Sequence, residues 1–230
     1  MEKGLILEVK NLTVELEKDA ILKNLTFQVK EGEALTILGP NGAGKTVLLK
    51  TLLGLLPYNG EIKWKKNIKI GYVPQRLPFI KDIPLSVKEF FKLKEASEKE
   101  IQEILFLLGM KDSYILEKKI GDLSSGQFQK MLIVFALIGN PQVLLFDEPT
   151  AGIDIGAEET IYTFLKKMRK KKNLTILLVT HDINIVYEFS IHCLCLNKKA
   201  LCFGHPKKIT PEQLTELYGG KVKIYEHRHD

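Results

Sequence analysis

Residues Gly39, Pro40, Asn41, Gly42, Ala43, Gly44, Lys45 and Thr46 form a glycine-rich stretch that ends in a cation and a hydroxyl. Glycines let consecutive backbone N–H groups converge on one point, and a helix opening at Lys45 adds its partial positive charge there. This is the chemistry of a phosphate cradle. Lys45 is placed to neutralise the β and γ phosphates of a nucleoside triphosphate, and Thr46 to offer its hydroxyl to Mg²⁺. A glycine-rich turn can match such a spacing by chance, but here an apolar strand precedes it and an apolar helical face follows. A second constellation, Val143-Leu144-Leu145-Phe146-Asp147-Glu148, puts two carboxylates just past the end of a buried strand. Asp147 suits Mg²⁺ through its water shell, and Glu148 suits polarisation of the water that attacks the γ phosphate. Taken alone, the same pair also reads as a solvated acidic turn.

These groups need elements to carry them. Alternating apolar and polar residues predict strands over Leu5–Val9 and Leu25–Val29, separated by the polar turn around Glu17, Lys18 and Asp19. Ala34–Leu38 reads as a buried strand, and Val47, Leu48, Leu49, Leu52, Leu53 and Leu56 as the apolar face of the helix after the loop, with its exit at Pro57 and Asn59-Gly60. Residues 61–73 suggest short strands. From Ser86 to about Lys119 the spacing turns helical, with Val87, Phe90, Phe91, Ile101, Ile104, Leu105 and Leu108 among lysines and glutamates. That stretch, 86–119, predicts a helical subdomain inserted into a core of 1–85 and 120–230, with 198–230 as a C-terminal extension. Beyond it the pattern predicts a helix over Gly126–Ile138, the strand Val143–Phe146, a helix over Ile155–Arg169 and a strand over Leu174–Val179. Apolar strands alternating with helices indicate an α/β sheet covered on both faces.

With these elements in place, the chain resembles the ATP-binding-cassette (ABC) ATPases over essentially its whole length. Leu123-Ser124-Ser125-Gly126-Gln127 resembles the family signature LSGGQ, Gln75 after Gly71-Tyr72-Val73-Pro74 matches the Q-loop, Ala151–Asp154 the D-loop, and His181 in Val179–Asp182 the switch histidine. The resemblance implies a P-loop NTPase core with a mainly parallel sheet, an antiparallel β subdomain and the helical insertion. It implies an ATP hydrolase with ATP and Mg²⁺ as cofactors. In that reading Glu148, His181, Lys45 and Gln75 act in catalysis, Thr46, Gln75 and Asp147 serve the metal, and nucleotide is held by 39–46, Leu16, Ser124, Ser125, Gly126, Gln127 and Asp154. The family's two-fold arrangement places the signature of one copy over the nucleotide of the other, so a homodimer closes around two ATP molecules. Three positions depart from the family pattern. Leu16 stands where an aromatic usually stacks on adenine, Ser125 replaces a glycine, and Phe135 replaces a frequent arginine.

The stretches Gly71–Arg76, Ile83–Val87, Ser125–Lys130 and Pro149–Asp154, and the tail with Cys195–Lys199, Leu217–Gly220 and Glu226–Asp230, resemble the ATPases of zinc, manganese and iron uptake systems. This implies a transport motor, importing a divalent metal with two membrane permease subunits and an extracytoplasmic metal-binding protein. A soluble cassette ATPase without a permease, in cofactor assembly or as a conformational clamp, is the alternative. Metal selectivity belongs to the membrane chains rather than to these residues.

Composition sets outer limits. In 230 residues, 45% are hydrophobic and 27% charged, which excludes a disordered or fibrous chain. The apolar runs fall far short of the ~20 residues that span a bilayer, and the first residues lack a secretory signal. The expected location is therefore cytoplasmic, peripheral on the inner face of the cell membrane. The net charge of +6 is compatible with polyanions or membrane surfaces. The run from Lys166 to Lys172 ends a helix, where cations are favoured by the dipole, so no nucleic-acid partner is expected. Three clustered cysteines, Cys193, Cys195 and Cys202, read as reduced thiols, with Cys193 and Cys195 as small core residues on one strand face. His227, His229 and Asp230 read either as a solvated terminus or as a cargo-sensing metal site.

Overall fold

The computed structural model describes residues 4–17, 19–75, 84–110, 114–148 and 155–220. The chain divides into two compact units: Lys66–Leu177 forms one, and the segments up to Lys65 and from Leu178 form the other.

In the unit that contains both ends of the chain, β1 (Leu5–Leu16) and β2 (Asp19–Lys30) pair antiparallel, and β4 (Asn59–Trp64) joins the other edge of β1. The turn between β1 and β2 lies where the polar residues predicted it, but both strands run well beyond their expected limits. The reason is local. Asn11 and Asn24 adopt left-handed backbone, φ 51° each, where the register shifts, and these irregularities interrupt the alternation that a sequence pattern can detect. β3 (Ala34–Leu38), buried along its whole length as expected, pairs parallel with β8 (His192–Asn197), and β8 pairs antiparallel with β9 (Lys199–Gly204). α1 (Lys45–Leu52) follows β3; it ends before Leu55, which is 65% exposed, and the Trp64 indole N–H donates to the Leu52 carbonyl at 2.9 Å. α6 (Ile183–Phe189) and α7 (Pro211–Tyr218) complete this unit. One core cluster gathers Leu38, Val186, Cys193, Cys195, Leu214 and Leu217.

Cys195 and Cys202 occupy directly opposite positions of β8 and β9, with Cα atoms 4.9 Å apart, and are joined as a disulfide. This corrects the reading of three reduced thiols: antiparallel register brings the two sulfurs together, and register is invisible in cysteine spacing. Cys193 stays free and buried, a core residue as expected, and burial pushes its thiol up to about 12.

In the second unit β5 (Ile70–Val73) pairs parallel with β6 (Val143–Asp147). β7 (Thr175–Thr180) follows in the chain; the strand order is β5-β6 in the second unit and β3-β8-β9 in the first. The helical stretch contains α2 (Val87–Lys92), opened by a capping box between Ser86 and Glu89, and α3 (Glu98–Leu107), capped by Ser97. Its two ends are stitched together: the Val87 amide donates to the Lys118 carbonyl and the Ile120 amide to the Leu85 carbonyl, both at 2.9 Å. α4 (Ser125–Leu137) and α5 (Ile155–Lys172) follow, within a few residues of the expected limits. Phe135 now has a physical role, since its ring packs on Phe90 at 4.5 Å and carries the Lys94 ammonium 4.7 Å above its centroid. Among the described residues no helix is long and apolar enough to cross a membrane. The α/β architecture, mainly parallel with an antiparallel β part, is the one the sequence implies.

Candidate functional site

The phosphate loop begins where β3 runs out. A Cβ on Gly39 would fall on the Leu196 carbonyl oxygen of β8, so only glycine lets the chain leave the sheet at this point. Gly44, at φ 95°, caps α1, and a Cβ there would come within 2.7 Å of the Leu22 side chain. Lys45, 6% exposed as a residue, donates its ammonium to the carbonyls of Gly39 at 2.8 Å and Pro40 at 3.0 Å, which holds it over the loop. The tip of the β8–β9 hairpin supports the same loop: the Lys198 amide donates to the Ala43 carbonyl at 3.0 Å, while the Lys198 carbonyl accepts from the Lys23 amide of β2 at 2.7 Å. Leu16, half-buried, ends β1 at the turn of the β1–β2 hairpin.

His181 lies between β7 and α6 with its side chain exposed. The turn that carries it is held on both sides, because the Asp182 amide donates to the Thr180 hydroxyl at 3.0 Å and the Asp182 carboxylate caps α6 through the Asn184 amide at 2.7 Å.

In the second unit, parallel pairing of β5 with β6 sets Val73 opposite Phe146, so both strands end at the same level. Two residues past one end stands Gln75; one residue past the other stands Glu148. The Gln75 amide N–H donates to the Glu148 carboxylate at 2.7 Å. Glu148 takes a left-handed backbone, φ 43°, unusual for a residue with a side chain, and is only 9% exposed. Residues held in such conformations cluster at functional sites. Asp147 is buried at 1% exposure, and Tyr72 on β5 has its hydroxyl pushed up to about 12, by burial first and then by the Asp147 charge. Gly71 is required here too, since a Cβ would run into the Ala136 carbonyl of α4.

The signature residues open α4. The Ser124 hydroxyl accepts from the Gln127 amide at 3.2 Å, and the Gln127 side chain accepts from the Ser124 amide at 3.1 Å. Ser124 and Ser125 are exposed, leaving a thirteen-residue helix presenting its N-terminus outward. Gln127, expected among the nucleotide ligands, uses its side chain oxygen in this capping box. Asp154 and the rest of the D-loop, and His227, His229 and Asp230, lie outside the described residues.

The pairing of Gln75 with Glu148 was not foreseen, although strand ends of equal level are what two parallel β strands with polar exits produce. The left-handed Glu148 and the hairpin support under Ala43 left no signal in residue type.

Known proteins bear on the same residues. The ABC transporter family profile matches residues 22–151. The zinc import ATP-binding protein ZnuC of Wigglesworthia glossinidia brevipalpis is 36% identical over 230 residues, covering 97% of this chain and 99% of that protein. Among solved structures, cbiO1 from Clostridium perfringens, part of the ABC transporter complex cbiONQ, superposes with a TM-score of 0.75 at 29% identity, covering 90% of each chain. An ATP-binding cassette of an ABC transporter in its ADP conformation superposes at 0.80, covering 94% of this chain and 99% of that one; at 24% identity it shows the shared fold.

Proposed function

Because the chain belongs to the ABC transporter family, as an ATP-hydrolysing cassette, we propose that it drives import of a divalent metal ion through membrane permease subunits. The single observation that carries the metal-uptake reading is end-to-end similarity, 36% identical over 97% of the chain, to a protein named for zinc import. In this reading the chain sits on the cytoplasmic face of the membrane, works as a homodimer closed by ATP, and receives its cargo from an extracytoplasmic binding protein.

The residues divide the work. The loop amides of 39–46 and Lys45 bind the β and γ phosphates, Ser124 with Gly126 at the α4 N-terminus closes over the nucleotide of the partner copy, and Asp154 is assigned to nucleotide binding by its match to the D-loop. Glu148 accepts a proton from the attacking water, His181 contacts the γ phosphate, and Gln75 links nucleotide state to the permease-facing surface. Thr46, Gln75 and Asp147 offer hard oxygen donors, the class Mg²⁺ prefers. Gln75 fits this assignment, since its amide nitrogen is turned to Glu148 and its oxygen remains the acceptor end. When bound, Mg²⁺ neutralises phosphate charge and orients the triphosphate. Leu16 packs against the base without a ring face, so hydrolysis of GTP at a rate comparable with ATP is expected, measured by phosphate release.

Two measurements test the transport reading. Deletion of the gene should make growth dependent on added zinc or another divalent metal, and the tagged chain should bring down one multispan membrane protein in stoichiometric amount from detergent-solubilised membranes. Normal growth under metal starvation, with no permease recovered, would overturn it.

A further inference from the structure

The switch histidine of the proposed mechanism must hold its imidazole at a fixed place while the side chain itself stays exposed. Thr180 and Asp182 fix the turn on either side of it. A third contact reaches the carbonyl of His181 itself: the Tyr218 hydroxyl donates to it at 3.3 Å. Tyr218 is the last residue of α7, and α7 is firmly seated. Its N-terminus is closed by a capping box between Thr210 and Gln213, and its C-terminus by left-handed Gly219, φ 70°. Leu214 and Leu217 are fully buried in the cluster that also contains Leu38, the residue directly before the phosphate loop. The Leu217 carbonyl accepts from the Asn197 side chain at 3.2 Å, which ties α7 to the β8–β9 turn that supports Ala43.

We propose that Tyr218 is a positioning residue for His181, through which α7 and its core fix the switch histidine for ATP hydrolysis. The proposal rests on the reading of His181 given above. The Tyr218 hydroxyl is suited to the task, because burial first, then Cys193 and Asp182, push it up to about 12, so it remains a donor throughout the physiological range. The bond is at the long end for a hydroxyl and a carbonyl, and a neutral hydrogen bond is modest in net strength, so the effect is bounded. Tyr218 touches no reacting atom; it acts through the main chain of His181.

The test uses the full chain and steady-state hydrolysis of MgATP. Tyr218→Phe keeps the ring in the core and removes only the hydroxyl. It should lower kcat about 3- to 10-fold, with KM for ATP and Tm unchanged, and should shift the imidazole C–H resonances of His181. His181→Ala, measured alongside, should be inactive. An unaltered kcat in Tyr218→Phe beside an inactive His181→Ala would overturn positioning while leaving the role of His181 intact. A fall in kcat with the His181 resonances unmoved and the Tm lowered by several degrees would also overturn it, since the loss would then come from unfolding rather than from the position of His181. Full activity of His181→Ala would overturn both readings together.

Discussion

β3 and β6 are both five-residue strands buried along their whole length, and each delivers polar chemistry at its C-terminal end, yet the two ends are built in opposite ways. Past β3 the chain presents its own backbone. Gly42 and Gly44 adopt left-handed conformations, φ 78° and 95°, that glycine reaches without strain, and such backbone can turn consecutive N–H groups toward one point, as an anion site requires. Past β6 the chain presents side chains, and Glu148 accepts a left-handed backbone with its Cβ in place, at a cost of ~1–3 kcal/mol. Binding a phosphate needs many weak donors and no side-chain bulk, so glycine serves it. Aiming one carboxylate needs a particular side chain in a particular direction, so strain is tolerated there and offset by neighbours such as Gln75.

The two strand ends differ most at Glu148. If the β6 end does chemistry rather than binding, Glu148→Gln should reduce ATP turnover by ~10²–10⁴-fold while nucleotide affinity stays within a factor of a few. The same variant should accumulate an ATP-dependent dimer, readable by light scattering. Turnover at the normal rate would remove Glu148 from the role of base. Lys45→Ala addresses the other end. Loss of a charged donor to phosphate should weaken ATP binding by ~10–100-fold by calorimetry, so turnover at saturating ATP should recover further in this variant than in Glu148→Gln.

Gly44→Ala probes how the β3 end is built. Left-handed backbone costs an alanine ~1–2 kcal/mol, and the new Cβ would press on Leu22, so urea unfolding should show a loss of about 2–3 kcal/mol from strain and overpacking together. A neutral result would mean that the loop does not depend on glycine geometry.

The two ends also differ in how far the sequence reveals them. The loop at 39–46 is legible because each physical requirement selects a residue type: glycine for approach, lysine for charge, threonine for a hydroxyl. β3 and β6 are legible because a strand buried on both faces is mostly apolar, with Thr36 the one polar residue inside β3 and Asp147 at the very end of β6. Glu148 is visible as a carboxylate, but its left-handed backbone and its bond to Gln75 arise from parallel pairing between strands some 73 positions apart, which residue types do not record. The Cys195–Cys202 bridge is hidden for the same reason, because opposite places in an antiparallel register look like any short cysteine spacing. The bond from Tyr218 to His181 links residues 37 positions apart and depends on how α7 docks. What remains hidden is consistently long-range: pairing, register and docking.

The smallest expected effect separates the two units at alkaline pH. Tyr72 and Tyr218 each have their hydroxyls pushed from 10.0 up to about 12 in the folded chain, Tyr72 by burial and the Asp147 charge, Tyr218 by burial, Cys193 and Asp182. In both cases folding favours the neutral phenol. Below pH 10 the folded and unfolded chains carry the same protons at these groups, and the stabilisation is fully present. As pH rises from about 10 to about 12 the unfolded chain loses protons that the folded chain retains, so stability falls with increasing pH across that window. Tyr72→Phe should flatten this fall for the unit that contains Asp147, and Tyr218→Phe for the unit that contains the phosphate loop, as followed by urea midpoints between pH 9 and about 12. Equal flattening by either variant would point to one cooperative transition shared by both units. A response confined to one probe, with the near-ultraviolet signal of Trp64 reporting the loop-containing unit, would show that the β3 and β6 ends melt separately and are held by independent cores.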